Sequence, residues 1–344
     1  MNQRMDTVDS IKLLAIVSVI ALHTLPFMGE AYRDDPWYGL GVVINQFARF
    51  AVPFFFVISG YFWGKKIIAG GPLSEVSRGM AARLLLIFVA WSIIYLLPYN
   101  LSAIIELGPL GPFEQAFWRG YNLLHDPQRL LFEGSKVHLW FLVGLLCALL
   151  ISHAMIALGA GMALPGLALV LYVVGVLGGA YASTPLGLSM DFDTRNGPFF
   201  ASLLFVAGYA LARHEPRRHW LWSGVLVFVC GWLLQSIELF VLVEYFAADL
   251  LQDYVFGTFL MGPGAAMMAL SNHPWLQWGR LSATGRLTLG IYAVHLIFVD
   301  IIRPFDAVLV SPWWELGHLG LVFVLSVFMA SLLAASPRFR RIVM

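Results

Sequence analysis

Charge is scarce in this chain. Of its 344 residues only 12% are Asp, Glu, Lys or Arg, about half the share found in soluble domains. The 21 basic and 20 acidic residues leave a net charge of +1. No Lys/Arg run and no aromatic RNA-binding box occurs, so there is no case for a nucleic-acid partner. Cysteine is scarcer still. Cys147 and Cys230 both lie in apolar stretches, and two such thiols make neither a disulfide framework nor a metal site. Also missing are a Gly-x-Ser-x-Gly elbow, a Walker loop, a His-Glu-x-x-His motif and a dinucleotide fingerprint. There is no inverted internal repeat and no low-complexity tract. Those absences remove most soluble-type enzyme mechanisms.

What is abundant is apolar surface. The chain is 60% hydrophobic and 15% aromatic, the composition of a polytopic membrane protein. A crossing helix needs about 20 mostly apolar residues. That length predicts an all-α bundle of ten helices, at 9–28, 38–63, 79–99, 137–158, 162–181, 197–212, 219–237, 254–271, 285–304 and 313–335. The stretch "FVLVEYFAADLLQDY" (239–253) reads as a loop helix on the surface, and "GPLGPFEQAFWRG" in the long 100–136 loop as a short amphipathic helix. The N-terminus resembles a signal peptide, but "LHTLPFMGE" has no small-x-small cleavage site. It is read as an uncleaved first helix.

Basic residues orient the layout. With the N-terminus inside, fourteen fall on the inner side (Arg4, Lys12, Lys65, Lys66, Arg78, Arg83, Arg213, Arg217, Arg218, Arg280, Arg286, Arg338, Arg340, Arg341). Six fall outside: Arg33, Arg119, Arg129, Lys136, Arg195 and Arg303. The positive-inside rule therefore predicts both termini in the cytoplasm. The expectation is a single transmembrane domain over 1–344, multi-pass in the inner (plasma) membrane and in contact with its lipids. A homo-oligomer stays open, because lipid-facing and partner-facing helix surfaces look alike in sequence.

Polar residues inside the spans are the candidates for chemistry. "VDSIKLLAIVSVIALHTLPF" carries Asp9, Lys12 and His23. Eleven residues separate Lys12 from His23, a net turn of about 20°, so they share a face about 17 Å apart along the axis. An ionisable group at depth costs roughly 2.5–3.5 kcal/mol or more unless it faces protein or water. His23 is either a helix-stitching hydrogen-bond group or a general base, since imidazole titrates near neutrality. The second span, "QFARFAVPFFFVISGYFWGKK", places Arg49 within it, interrupts it at Pro53 and allows close backbone approach at Ser59-Gly60. Arg49 is either a structural ion pair or a clamp for an anion or carbonyl.

Further along, Arg78 and Arg83 in "SRGMAARLLLIF" either obey the charge rule or join Lys12, Lys65 and Lys66 in a basic mouth for a phosphorylated ligand. "KVHLWFLVGLL" sets His138 and Trp140 at a membrane boundary. In "GRLTLGIYAVHLIF", Thr288, Tyr292 and His295 follow i, i+4, i+7 spacing and point one way. "SMDFDTRNGPFF" brings Asp191, Asp193, Arg195 and Asn196 together, either to bind a sugar or to cap a helix. Two carboxylates without further ligands are a weak metal signal.

Four segments in order resemble the acyltransferase-3 family of integral membrane acyltransferases. They are "DSIKLLAIVSVIALH", "RFAVPFFFVISGYF", "HLWFL" and "GIYAVH", and with the ten-helix layout they cover nearly the whole chain. The closest flavour is the small, stand-alone O-acetyltransferase of bacterial envelope glycans. One departure stands out: the family usually has arginine where this chain has Lys12, which keeps the charge but loses the planar fork. The resemblance implies His23 as catalytic base, with Arg49, Arg83 and Lys12 contacting an acyl-coenzyme A donor and Ser59, His138, Tyr292 and His295 shaping the site. It implies acetyl-CoA as co-substrate, a glycan or lipid-linked acceptor and no metal. The rival reading is a proton-coupled transporter of a sugar or anion, built on the same polar stripe.

Overall fold

The computed structural model describes residues 6–344. Arg4 and the side chain of Arg280, both counted on the inner side above, lie outside the described part. All regular structure among the described residues is helical. In chain order the helices are α1 Asp6–Thr24, α2 Pro36–Ala48, α3 Ala51–Ile68, α4 Leu73–Ile94, α5 Ala103–Leu107, α6 Gly111–His125, α7 Pro127–Phe132 and α8 Trp140–Ala157. There follow α9 Leu164–Leu177, α10 Pro198–Leu211, α11 Trp220–Phe246, α12 Phe256–Leu270, α13 Thr288–Ile302, α14 Pro312–Ala335 and α15 Arg340–Val343.

Among the described residues, seven helical stretches are long and apolar enough to cross a membrane: Asp6–Thr24, Pro36–Ile68, Leu73–Ile94, Val137–Ala157, Trp220–Phe246, Leu281–Ala307 and Pro312–Ala335. The other three expected spans form apolar helices of 10–17 residues, Leu164–Gly178, Pro198–Leu211 and Phe256–Leu270. At 1.5 Å per residue a 15-residue helix covers about 22 Å, short of a hydrocarbon core of about 30 Å. The second expected span is two helices. Proline has no N–H to offer the carbonyl four residues back, and the break between α2 and α3 falls at Arg49–Phe50, just there.

One local reading changes with the structure and another holds. Helix α11 runs on to Phe246, taking up half of the stretch read as a surface helix, because its apolar periodicity continues. It stops where Ala247 adopts a left-handed conformation (φ 51°), a common helix terminator. The segment around "GPFEQAFWRG" is helical as expected. It exposes Phe113, Phe117, Tyr121 and Leu124 on one stripe, the pattern of a helix that lies in an interface.

The chain divides into two compact units. The first holds the described residues through Ile11 with Arg49–Leu85 and Trp140–Trp278; the second holds Lys12–Ala48, Leu86–Leu139 and Gly279–Met344. Within the first, α3 and α10 cross in near backbone contact. A Cβ on Gly60 would stand 2.0 Å from the carbonyl oxygen of Phe205, and one on Gly208 would stand 1.9 Å from that of Val57. Small residues at such crossings let membrane helices pack by van der Waals contact alone. Helices α11 and α12 are joined by polar groups: the Thr258 hydroxyl donates to Gln235 at 2.7 Å, and the Gly257 N–H donates to Glu238 at 2.6 Å. Glu238 also accepts from the Phe256 N–H and the Tyr181 hydroxyl, so two of the open N–H groups at the start of α12 are satisfied by one carboxylate.

In the second unit α13 is buried along most of its length, from Thr288 to Ile302, and packs against α14 and α15. The Tyr95 hydroxyl donates to the Ala293 carbonyl at 2.8 Å, and the Trp91 indole donates to the Ile342 carbonyl at 2.9 Å. These bonds fix the face that α13 turns inward.

Candidate functional site

Three histidines from three separate stretches of chain meet ring to ring in the second unit. His23 from α1 and His295 from α13 have ring centroids 5.1 Å apart; His138, just ahead of α8, lies 5.2 Å from His295. His138 is 2% exposed and His295 fully buried, while His23 keeps partial exposure. Tyr292 packs its ring 5.1 Å from His138, and Tyr95 approaches the same imidazole edge-on at 5.2 Å. Thr288 is buried on the same helix, so the polar stripe expected along α13 points inward.

Hydrogen bonds assign roles to these rings. A carbonyl oxygen can only accept, so the 2.7 Å contact between His295 Nδ1 and the Tyr292 carbonyl places the His295 proton on Nδ1. Its Nε2 then carries a lone pair, and that atom is buried without a hydrogen-bond partner among the described residues. Both ring nitrogens of His138, one of them an N–H, are also buried without a partner of hydrogen-bond geometry among the described residues, the Ala293 backbone being a group they approach. A buried polar atom left unpaired costs about 1–3 kcal/mol, and native proteins keep few of them. Three on two neighbouring imidazoles is a concentration that a bound hydroxyl or thioester would relieve. Tyr292 donates its hydroxyl to the His138 carbonyl, so it holds the His138 backbone against α13.

The end of α1 is held equally firmly. Past Thr24 the chain turns through Leu25 (φ 49°) and Phe27 (φ 63°), a left-handed conformation uncommon for bulky residues. Such positions cost about 1–3 kcal/mol and persist only where the surroundings over-determine them. Here Phe27 is fully buried and stacks on Trp37 at 5.2 Å, and its N–H donates to Glu315 at 3.0 Å. Arg303 donates to the His23 carbonyl at 3.3 Å. The last turn of α1, and His23 with it, is thereby fixed.

Next to this cluster stand two groups that sequence reasoning passed over. Asp306 accepts from His318 Nδ1 at 2.9 Å and from the Trp314 indole at 2.8 Å, while His318 Nε2 is buried without a partner among the described residues. Lys136 pairs with Asp300, which also accepts from the Tyr99 hydroxyl. Burial pulls the Lys136 ammonium below its usual range, against the opposing pull of Asp300. Burial and Asp300 push the Tyr99 phenol up.

The remaining candidates belong to other surroundings. Lys12 sits half-buried on α1, eleven residues before His23. In the first unit, Arg49 forms an ion pair with Asp253 at 3.3 Å, and Arg195 takes the other oxygen of Asp253 at 3.2 Å and Asp193 at 3.0 Å. Asp253 thus ties together Arg49 and the "DTR" segment. Ser59 is half-buried beside Gly60 on α3, and Arg83 is exposed on α4. Among the described residues no grouping of His, Cys, Asp and Glu is arranged to hold a metal ion.

Comparison with known proteins bears on this arrangement as a whole. The acyltransferase-3 family model, described as an acyltransferase domain, matches residues 5–335. An amino-acid racemase of Enterococcus faecalis is 24% identical over 357 aligned positions, covering 99% of this chain and 48% of that protein. A serine/alanine racemase of Enterococcus gallinarum is 24% identical over 306 positions, covering 84% of this chain and 40% of that protein. The chain therefore spans about half the length, or less, of the curated relatives it matches. No solved structure matches.

Proposed function

The chain belongs to the acyltransferase-3 family and is a multi-pass membrane acyltransferase, and from that premise we propose that it moves an acetyl group from cytoplasmic acetyl-CoA to a hydroxyl of an envelope glycan or related acceptor in the inner membrane. The observation that carries the reading is the ring contact of His23 with His295 and of His295 with His138, with both nitrogens of His138 and Nε2 of His295 buried and without a hydrogen-bond partner among the described residues. In this reading His23 takes the proton of the acceptor hydroxyl as its oxygen attacks the thioester carbonyl. The tetrahedral intermediate collapses, the C–S bond breaks and the thiolate leaves. The proton held by His23 passes to the thiolate, so ester and free coenzyme A are the products and the imidazole is restored.

His295 and His138 act as positioning residues around that base. A family-type role in donor binding stays with Arg49, Arg83 and Lys12; the charges of Arg83 and Lys12 suit the phosphates of coenzyme A, while that of Arg49 is already paired with Asp253. Both termini are placed in the cytoplasm by the basic-residue bias. The racemase activity named for the relatives is not carried over, since each of those proteins extends well beyond the aligned region.

The test is acetyl-CoA binding by the purified protein, with free coenzyme A for comparison, followed by incorporation of radiolabelled acetyl groups into base-labile esters in membranes that contain the protein. Saturable binding with label transfer that His23→Ala abolishes supports the assignment. Absence of acetyl-CoA binding removes it.

A further inference from the structure

The second unit also contains a polar cleft of about 440 Å³, walled by α6, the segment after α4 and the end of α13. Its charges cancel: Glu106, Glu114 and Asp300 face Arg119, Lys136 and Arg303. Part of that charge is already consumed internally. Lys136 is paired with Asp300. Arg119 lies over the Tyr99 ring at 4.4 Å and donates to the Tyr95 carbonyl at 3.0 Å, yet its Nη2 is buried without a partner among the described residues. On the α5–α6 side, Glu106, Glu114 and Asn122 line the cleft beside Trp118, which is half exposed.

That mixture selects a ligand chemistry. A hydroxyl both donates and accepts, so a polyol matches a wall of carboxylates and an amide. An indole face offers the apolar C–H side of a sugar ring a surface to lie on. A net anionic ligand would meet Glu106 and Glu114, and an acyl chain would leave those carboxylates and Asn122 without partners. The volume falls in the ordinary range for small-ligand sites. The cleft is also wired to the histidines: Arg303 bonds the His23 carbonyl, Tyr99 packs on Tyr95, which packs on His138, and Lys136 lies two residues before His138.

We propose that this cleft is the acceptor subsite and takes an uncharged saccharide, bound over Trp118 and hydrogen-bonded by Glu106, Glu114 and Asn122, so that the acceptor is held beside the histidine cluster. The assignment rests on the reading of the histidine cluster as the transfer site.

The experiment uses the full chain in lipid nanodiscs, following coenzyme A release from acetyl-CoA. The added acceptors are neutral disaccharides (maltose, lactose, diacetylchitobiose), with digalacturonic acid and unacetylated chitobiose as charged comparators. Neutral disaccharides are expected to accelerate release. Trp118→Ala and Asn122→Ala are expected to raise the KM for the sugar at least tenfold, with kcat and the KM for acetyl-CoA within twofold of the parent. Glu114→Gln, which keeps shape and folding, is expected to do the same to a smaller degree. A sugar KM unchanged in all three variants, or a preference for either charged comparator, overturns the proposal. So does bound acetyl-CoA with no acceleration by any neutral sugar. Failure to bind acetyl-CoA at all would instead strike the transferase reading on which it rests.

Discussion

Removing His23 and His295, singly and together, measures whether the imidazole cluster works as one device. A positioned general base contributes about 10²–10⁴-fold. At about 1.36 kcal/mol per decade that is about 2.7–5.5 kcal/mol off the barrier, and His23→Ala should lose that much turnover. His295→Phe keeps a ring of similar outline against His23, whose centroid lies 5.1 Å away. It removes the bond to the Tyr292 carbonyl at 2.7 Å and the Nε2 lone pair. If the bond to the Tyr292 carbonyl seats this ring against His23, the loss should be about tenfold, the scale of one neutral hydrogen bond of about 0.5–1.5 kcal/mol. The double variant should then be no slower than His23→Ala alone, because a residue acting through another has nothing left to act on. The assay is acetyl-CoA-dependent ester formation in native membranes. Thermal midpoint and elution profile of each purified variant separate chemistry from misfolding. His23→Ala turnover within tenfold of the parent would refute the base. Fully multiplicative losses in the double variant would refute the coupling and make His295 an independent contributor.

Three other outcomes follow from the packing and charge. Gly60→Ala and Gly208→Ala each drive a Cβ to within 2.0 Å or less of a facing carbonyl oxygen. Each should destabilise by about 3 kcal/mol, the upper end of ordinary overpacking, whereas Gly39→Ala within α2 meets nothing within 4 Å and should hold or raise the thermal midpoint. Glu238→Ala strands the Phe256 and Gly257 N–H groups and the Tyr181 hydroxyl; a loss of at least about 3 kcal/mol is expected, at about 1–3 kcal/mol per buried orphan, and chemical denaturation in mixed micelles measures it. Arg83→Ala should weaken acetyl-CoA binding by about tenfold, the scale of a charge-assisted contact, with the difference shrinking as salt is raised; an unchanged Kd at low salt would leave Arg83 a topology charge.

What could be read in advance divides along a physical line. Apolar length is a local property, so the apolar helices were legible, although only seven stretches among the described residues have the length to cross a membrane. The break at Arg49–Phe50 was legible too, since Pro53 states it within four residues. The inward stripe of Thr288, Tyr292 and His295 was readable for the same reason, because one helix holds all three. Partners across the fold were not. Arg49 admitted an ion pair or an anion clamp, and only the approach of Asp253, 204 residues away, supplies the pair. Nor could a helical wheel join Asp306 to His318. Twelve residues at 100° each put them about 120° apart, yet the chain leaves helix between Val308 and Ser311 and so carries no continuous phase from one to the other.

The largest gap lies with charges at helix ends. Arg119, Lys136 and Arg303 served in the sequence as topology counts, because a basic residue beyond an apolar run satisfies the charge rule whatever else it does. Their second role needs Asp300, 164 positions from Lys136, and a tyrosine ring under Arg119. A charge that only anchors a span should stay hydrated and tolerate exchange for another cation. Arg119 is held by a ring face and two carbonyls, at Tyr95 and Gln115, a geometry that lysine cannot reproduce. Arg119→Lys, silent under a topology role, should therefore loosen the wall between the cleft and the imidazoles. Acceptor KM should rise while membrane insertion stays intact, and an unchanged KM would return Arg119 to the topology count.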